Sequence, residues 1–148
     1  MNKNVVFGSL ENIDDILFMA LQLWPDNTYD GLREELTEIL NNEKETILLY
    51  KLENEFIGFN HVAIRHDYVE GANSSPVGFI EGIFVKENHR GKGIAKILVR
   101  SGEEWAKSRG CAQMGSDVEF HNVESYNFHK KIGYIEVNRI ICFLKNIK

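Results

Sequence analysis

The sequence predicts a one-domain α/β (α+β) protein, with helices packed on a central mixed sheet. Three observations carry that prediction. Residues 79–99 read as a strand, a basic glycine turn and an amphipathic helix in immediate succession. Residues 46–51 and 56–65 read as two strands paired around Glu53-Asn54-Glu55. Ile13, Ile16, Leu17, Ala20, Leu21 and Trp24 recur at helical spacing. No repeat, low-complexity tract or linker divides the 148 residues, a length that suits one domain (1–148) with one sizeable core.

Each element has its own signal. Asn12 can cap the first helix, and Pro25 ends it, because the residue before a proline is pushed out of helical angles. After the Asp26-Asn27-Thr28 cap region, Leu32, Leu36, Ile39 and Leu40 mark a second helix. The two paired strands follow. A polar loop at 66–76 then leads into a strand at 77–85. The helix after the glycine turn gathers Ile94, Ile97, Leu98, Ser101, Gly102 and Trp105 on one face and stops at Arg109-Gly110. Residues 114–118 read as a short strand, 123–132 as a helix ended by Gly133, and 135–147 as a last strand.

Composition narrows the function classes. The hydrophobic fraction of 43% is ordinary for a globular protein. A formal net charge of -5 argues against nucleic acid as a partner and suits a cationic one. Cys111 and Cys142 form no C-x-x-C pair and read as buried thiols in a reducing compartment. The five histidines have no metal-ligand spacing. The first eight residues lack the apolar core of a signal peptide, and no apolar run is long enough to span a bilayer. A soluble cytoplasmic protein is the expectation.

The glycine turn carries the first chemistry. It places free backbone N–H groups at a helix start, an anion site worth roughly half a positive elementary charge. Arg90, Lys92 and Lys96 add full charges around it. Pyrophosphate is the ligand this implies, against the alternative of a surface turn with solvated lysines. The turn is not a nucleotide P-loop, because G-x-x-x-x-G-K-[ST] is absent.

The spacing Arg90-x-x-Gly93-x-Ala95 resembles the acetyl-CoA pyrophosphate loop of the GCN5-related N-acetyltransferases (GNAT). That resemblance implies a GNAT fold, a central mixed sheet of about six to seven strands flanked by about four helices, with strands 4 and 5 splayed into a V. It implies that Arg90, Gly91, Lys92, Gly93, Ile94, Ala95 and Lys96 hold acetyl-CoA. In the family the fourth strand is bulged, and Gly82 fits a bulge. The freed N–H groups of Ile83, Phe84 and Val85 could then hold the pantetheine arm and polarise the thioester carbonyl. The other reading is that Gly82 only relieves crowding between strand and helix. Asn122 matches an asparagine that touches the cofactor, and Lys131-Ile132-Gly133-Tyr134 resembles the closing GNAT element. Members often carry a tyrosine four residues before that glycine as general acid. Here His129 holds the place and Tyr126 lies a turn back, so the acid is His129, Tyr126 or none.

If its strand is regular, Glu81 shares a face with Phe79, Ile83 and Val85. A carboxylate there is costly unless it meets a cleft or a cation. Asp117 ends the next expected strand. In a GNAT fold the two strands part around the acetyl group, and two carboxylates there can bind an ammonium and take its proton, directly or through water. A salt bridge or a cap is the other reading for each. Trp24 continues a helical apolar stripe, so core packing competes with ligand contact. Tyr68 lies outside any such stripe, which favours binding.

L-W-P at 23–25, I-R-H-D-Y-V at 64–69, S-S-P-V at 74–77, F-I-E-G-I-F-V at 79–85 and G-S-D at 115–117 with Asn122 are similar to the aminoglycoside 6'-N-acetyltransferases. This resemblance runs from Trp24 to the final strand. It implies acetyl transfer from acetyl-CoA to the 6'-amino group of an aminoglycoside, a homodimer and no metal. Trp24, Tyr68, Glu81 and Asp117 would line the antibiotic site, with Glu81 as base and Asp117 as its catalytic neighbour. Relatives can place a Glu before an Arg in the last strand, where this chain has Asn138-Arg139, so Asn138 takes that place. The competing readings are an acetyltransferase for a polyamine or a protein amine, and a non-catalytic acyl-CoA-binding module.

Overall fold

Strand alternation builds two cores, one on each face of a sheet. In this computed structural model, which describes all 148 residues, β2 (Glu45–Leu52) sends Ile47 and Leu49 to one face and Leu48 to the other. A tight connection, in which Glu53 takes a positive φ of 57°, returns the chain as β3 (Glu55–Arg65), antiparallel to β2. β4 (Val77–Val85) adds antiparallel to β3, and the short β5 (Met114–Ser116) adds parallel to β4. β1 (Val5–Phe7) pairs antiparallel with β2 on the other side, which makes the order β1-β2-β3-β4-β5.

Two helices cover one face. α1 (Ile13–Leu23) and α2 (Tyr29–Leu40) pack Ile16, Leu17, Leu32 and Leu36 onto Ile47, Leu49, Phe59 and Phe84. The Thr28 hydroxyl accepts the Gly31 N–H at 3.1 Å and starts α2. Asn12 stands before α1, yet its side chain instead accepts the Ser9 N–H at 3.1 Å, in the preceding turn. On the other face α3 (Ile94–Ser108) buries Ile94 and Leu98 against Leu48, Ile57 and Val85. Gly102 lets that helix lie close, since a Cβ there would fall 2.9 Å from Val62. The buried Asn60 amide donates to the Leu98 carbonyl at 3.0 Å and ties sheet to helix.

The chain forms two compact units, Met1–Asp117 and Val118–Lys148. The first holds the whole sheet with α1, α2 and α3. The second holds α4 (Val123–Lys131) and a stretch without helix or strand from 134 onward.

The sheet has five strands rather than six to seven, with four α-helices as expected. Residues 135–147 form no strand, contrary to expectation: that stretch makes no ladder pairing, and a strand exists only through such pairing. β1 escaped the sequence reading, being three residues with two exposed side chains and no alternation long enough to register. Cys142 is exposed rather than buried, while Cys111 is buried as expected. No helix is long and apolar enough to cross a membrane.

Candidate active site

The site begins with a register shift in β4. His61 of β3 stands opposite Gly82, and Val62 opposite Ile80, so Glu81 is the extra residue of a β-bulge. One extra residue flips every later side chain. Glu81 therefore does not share a face with Ile83 and Val85, as a regular strand would require. Val85 and Ile83 join the α3 core, while Phe84 joins the α1–α2 core. Gly82 is needed for a second reason as well. A Cβ there would fall 2.7 Å from Trp24 Cη2, so both readings of this glycine apply. Trp24, just past the end of α1, packs half-buried over that gap and against Phe59, ring centroids 6.0 Å apart.

Glu81 is in a salt bridge, the other reading the sequence left open, with a partner that sequence reasoning did not name. Arg65, the last residue of β3, forks onto its carboxylate: Oε1 accepts Nε at 3.0 Å and Nη2 at 2.7 Å, and Oε2 accepts Nη2 at 2.9 Å. The guanidinium also lies 3.5 Å above the Phe79 ring centroid. The available signal was a basic residue at even spacing from Phe59 and Ala63, and so on their strand face. Val69 packs with Val77 and Phe79 and anchors the long loop before β4. The adjacent Tyr68 is 75% exposed. Asp117 is exposed just past β5. Ser116, the last residue of β5, pairs with Ile80, so Asp117 follows directly after the end of that pairing.

β5 pairs β4 only over Gly78, Phe79 and Ile80. From Glu81 to Val85, β4 has no strand on that edge, which is the expected parting of strands 4 and 5. The chain then reaches the glycine turn. Arg90 is not simply solvated, for its Nε donates to the Val85 carbonyl at 2.7 Å. Gly91 and Gly93 have φ of 77° and 80° with open space where a Cβ would stand. Ile97 N–H bonds the Gly93 carbonyl, so the N–H groups of Ile94, Ala95 and Lys96 precede the first helical bond of α3. No acidic side chain lies in that first turn to compete for them. Lys92 and Lys96 are exposed beside it. The Ile94 side chain sits in the core, so its contribution to an anion site is its backbone.

The second unit holds the remaining candidates. Asn122 caps α4, its Oδ1 accepting the Ser125 N–H at 3.1 Å. His129 Nδ1 donates to the Ser125 carbonyl at 2.7 Å, and its ring stands edge-on to Phe128 and Tyr134. The Tyr126 hydroxyl donates to Glu136 at 3.2 Å. Glu136 is also paired with Arg139, which lowers its pKa. Asn138 Oδ1 accepts the Arg139 N–H at 2.8 Å.

No group of three His, Cys, Asp or Glu side chains is arranged to hold a metal ion. Two surface depressions, at 37–44 and around Asn42, Trp105 and Arg109, include none of the expected site residues.

Comparison with known proteins agrees with this geometry. The acetyltransferase (GNAT) family model matches residues 13–134. An aminoglycoside N(6')-acetyltransferase type 1 from Serratia marcescens is 35% identical over 144 residues, 97% of this chain and 99% of that protein. The solved structure of AAC(6')-Iy in complex with the bisubstrate analog CoA-S-monomethyl-acetylneamine superposes with a TM-score of 0.93 at 33% identity, covering 97% of each chain. AAC(6')-IG from Acinetobacter haemolyticus, solved in its apo form, has a TM-score of 0.93 at 32% identity over 100% of each chain. The parting strands, the bulge and the glycine turn at a helix start thus occur in a chain that belongs to the GNAT acetyltransferase family, alongside the aminoglycoside N(6')-acetyltransferases.

Proposed function

We propose that this chain transfers the acetyl group of acetyl-CoA to the 6'-amino group of an aminoglycoside antibiotic, and that Glu81 takes the proton the amine must lose. The observation that carries this reading is the place of Glu81. A one-residue bulge puts Glu81 where β4 and β5 part, one residue before the Gly82 over which Trp24 packs, on the strand that leads into the glycine turn. Asp117, just past the end of β5, holds the ammonium, and Trp24 and Tyr68 supply aromatic faces for the sugar rings. Acetyl-CoA supplies the activated acyl group. The turn fits its pyrophosphate through the open N–H groups of Ile94, Ala95 and Lys96 and the charges of Arg90, Lys92 and Lys96. Gly91 and Gly93 leave room for the backbone to approach. Ile83, Phe84 and Val85 serve the pantetheine arm, with Asn122 as a further cofactor contact and Asn138 as a substrate contact.

The same proposal includes one GNAT domain, supported by a family match that crosses from the first unit into the second. It includes a homodimer, supported by the apolar residues after Tyr134 that stand bare in a single chain: Phe143 is 91% and Leu144 97% exposed. A cytoplasmic location accords with two unpaired thiols.

The test is thiol release from acetyl-CoA with kanamycin, tobramycin, spermidine and a lysine peptide as acceptors. Aminoglycosides should be acetylated with the highest kcat/KM, and a preference for spermidine or the peptide would overturn the substrate. Glu81→Gln should lower kcat by roughly a hundredfold or more and leave acetyl-CoA binding intact.

A further inference from the structure

Arg65 occupies an unusual place for a surface cation. Its side chain is 40% exposed, but two independent contacts hold it. The Phe79 ring, itself buried among Val69 and Val77, forms a floor 3.5 Å beneath the guanidinium. The Glu81 carboxylate takes its fork edge-on. A stacked and bidentate arginine loses little further freedom and orients what it binds.

The consequence is specific to individual oxygens. A carboxylate oxygen has two lone pairs. Glu81 Oε1 accepts two hydrogen bonds from Arg65, and Oε2 accepts one. Oε2 therefore keeps the one acceptor direction of Glu81 that Arg65 leaves open. Glu81 is 24% exposed, so solvent still reaches this carboxylate, and Oε2 holds its acceptor site not taken by Arg65.

We infer that Arg65 is a positioning residue for the acetyl-transfer reaction: it fixes the Glu81 carboxylate so that Oε2 alone faces the amine. The inference rests on the proposed role of Glu81. The contacts of Arg65 are to Glu81 and Phe79. Its cation also offsets one negative charge of the cleft, so its removal makes the cleft more attractive to a polycation even as the carboxylate is freed to rotate. Turnover and substrate affinity should then move apart, which a loss of stability alone would not produce.

The experiment measures kcat and KM with kanamycin, at saturating acetyl-CoA, for Arg65→Met, Arg65→Lys, Glu81→Gln and the Arg65→Met/Glu81→Gln double variant, with thermal melts as a check on folding. Methionine keeps an apolar chain over Phe79 and removes the fork. Lysine keeps the charge and removes the fork. Arg65→Met should lower kcat about ten- to a hundredfold, the scale of a roughly 1 Å misplacement, with the kanamycin KM unchanged or reduced. Arg65→Lys should fail to restore kcat. In the Glu81→Gln background Arg65→Met should have no further effect, because a residue that acts through Glu81 cannot act without it. Wild-type kcat in folded Arg65→Met, full restoration by lysine, or equal effects of Arg65→Met in both backgrounds would each overturn the inference. If Glu81→Gln loses turnover while Arg65→Met keeps it, only the Arg65 role fails. If Glu81→Gln itself keeps wild-type turnover, the base assignment has failed and takes this inference with it.

Discussion

Glu81, Gly82 and Trp24 divide one task at the scale of single residues. Glu81 supplies the charge, Gly82 supplies the absence of a side chain, and Trp24 fills the space that absence leaves. A methyl group at Gly82 would overlap the Trp24 ring, with Cη2 only 2.7 Å away and Cζ2 nearer still. Gly82→Ala should therefore lower stability by about 1–3 kcal/mol, the usual cost of overpacking. It should also raise the aminoglycoside KM as Trp24 is displaced, with the acetyl-CoA KM little changed. Melting curves and two-substrate kinetics measure both, and an unaltered aminoglycoside KM would remove Trp24 from the antibiotic site. Away from the site, the Lys86 ammonium donates to Glu55 Oε1 at 2.9 Å and lowers the Glu55 pKa. A carboxylate with a depressed folded pKa adds stability above its unfolded value, 4.5 here, and loses it as pH falls through the folded value. Glu55→Gln should flatten that part of the acid melting profile and change stability at pH 7 little, because the pair is exposed and screened by solvent. An acid profile identical to wild type would show the pair to be energetically idle.

At the scale of elements, the turn before α3 matters through its backbone. Gly93 has a φ of 80°, which a β-branched residue adopts only with strain, and a side chain there would enter open space before the helix start. Gly93→Val should weaken acetyl-CoA binding by about tenfold or more, since each 1.4 kcal/mol of lost contact is tenfold in affinity. Calorimetric titration of the folded variant measures this, and unchanged affinity would sink the pyrophosphate assignment. β4 illustrates how an element can be legible while its detail is not. Its residues and its glycine were readable, and a bulge was expected from the family resemblance. Which side chains lie beyond the bulge on which face depends on pairing with β3, where His61 faces Gly82 and Val62 faces Ile80.

For the whole molecule, the apolar run after Tyr134 is where the proposed homodimer is tested. Ile135, Ile141, Phe143, Leu144 and Ile147 are all largely exposed in one chain. A stable interface buries about 1,200–2,000 Å² in total, and such side chains are suited to its centre. Leu144→Glu should shift the protein toward monomer in sedimentation velocity, because a carboxylate buried without a partner is costly. Exposed Cys142 offers a parallel readout, since its reaction with a maleimide should speed up in that variant. Burial pushes the Cys111 thiol pKa up, so it should stay unreactive in both. A wild-type protein that sediments as a monomer at micromolar concentration would overturn the dimer.

The sequence by itself determined the helices, the β2–β3 hairpin and the strand–turn–helix unit, because each is written in local spacing: apolar period, caps, glycine and the charges around it; the family was legible through the resemblance of its motifs. It also proposed Glu81, Asp117, Trp24 and Tyr68 as site residues. The tertiary structure alone decided three things. It decided the face on which Glu81 stands, since register is a property of two strands rather than one. It brought Arg65 to Glu81, sixteen residues apart in the chain, because adjacent strands join what sequence separates. And it left 135–147 without a strand, because β-propensity becomes a strand only where another edge supplies the hydrogen bonds.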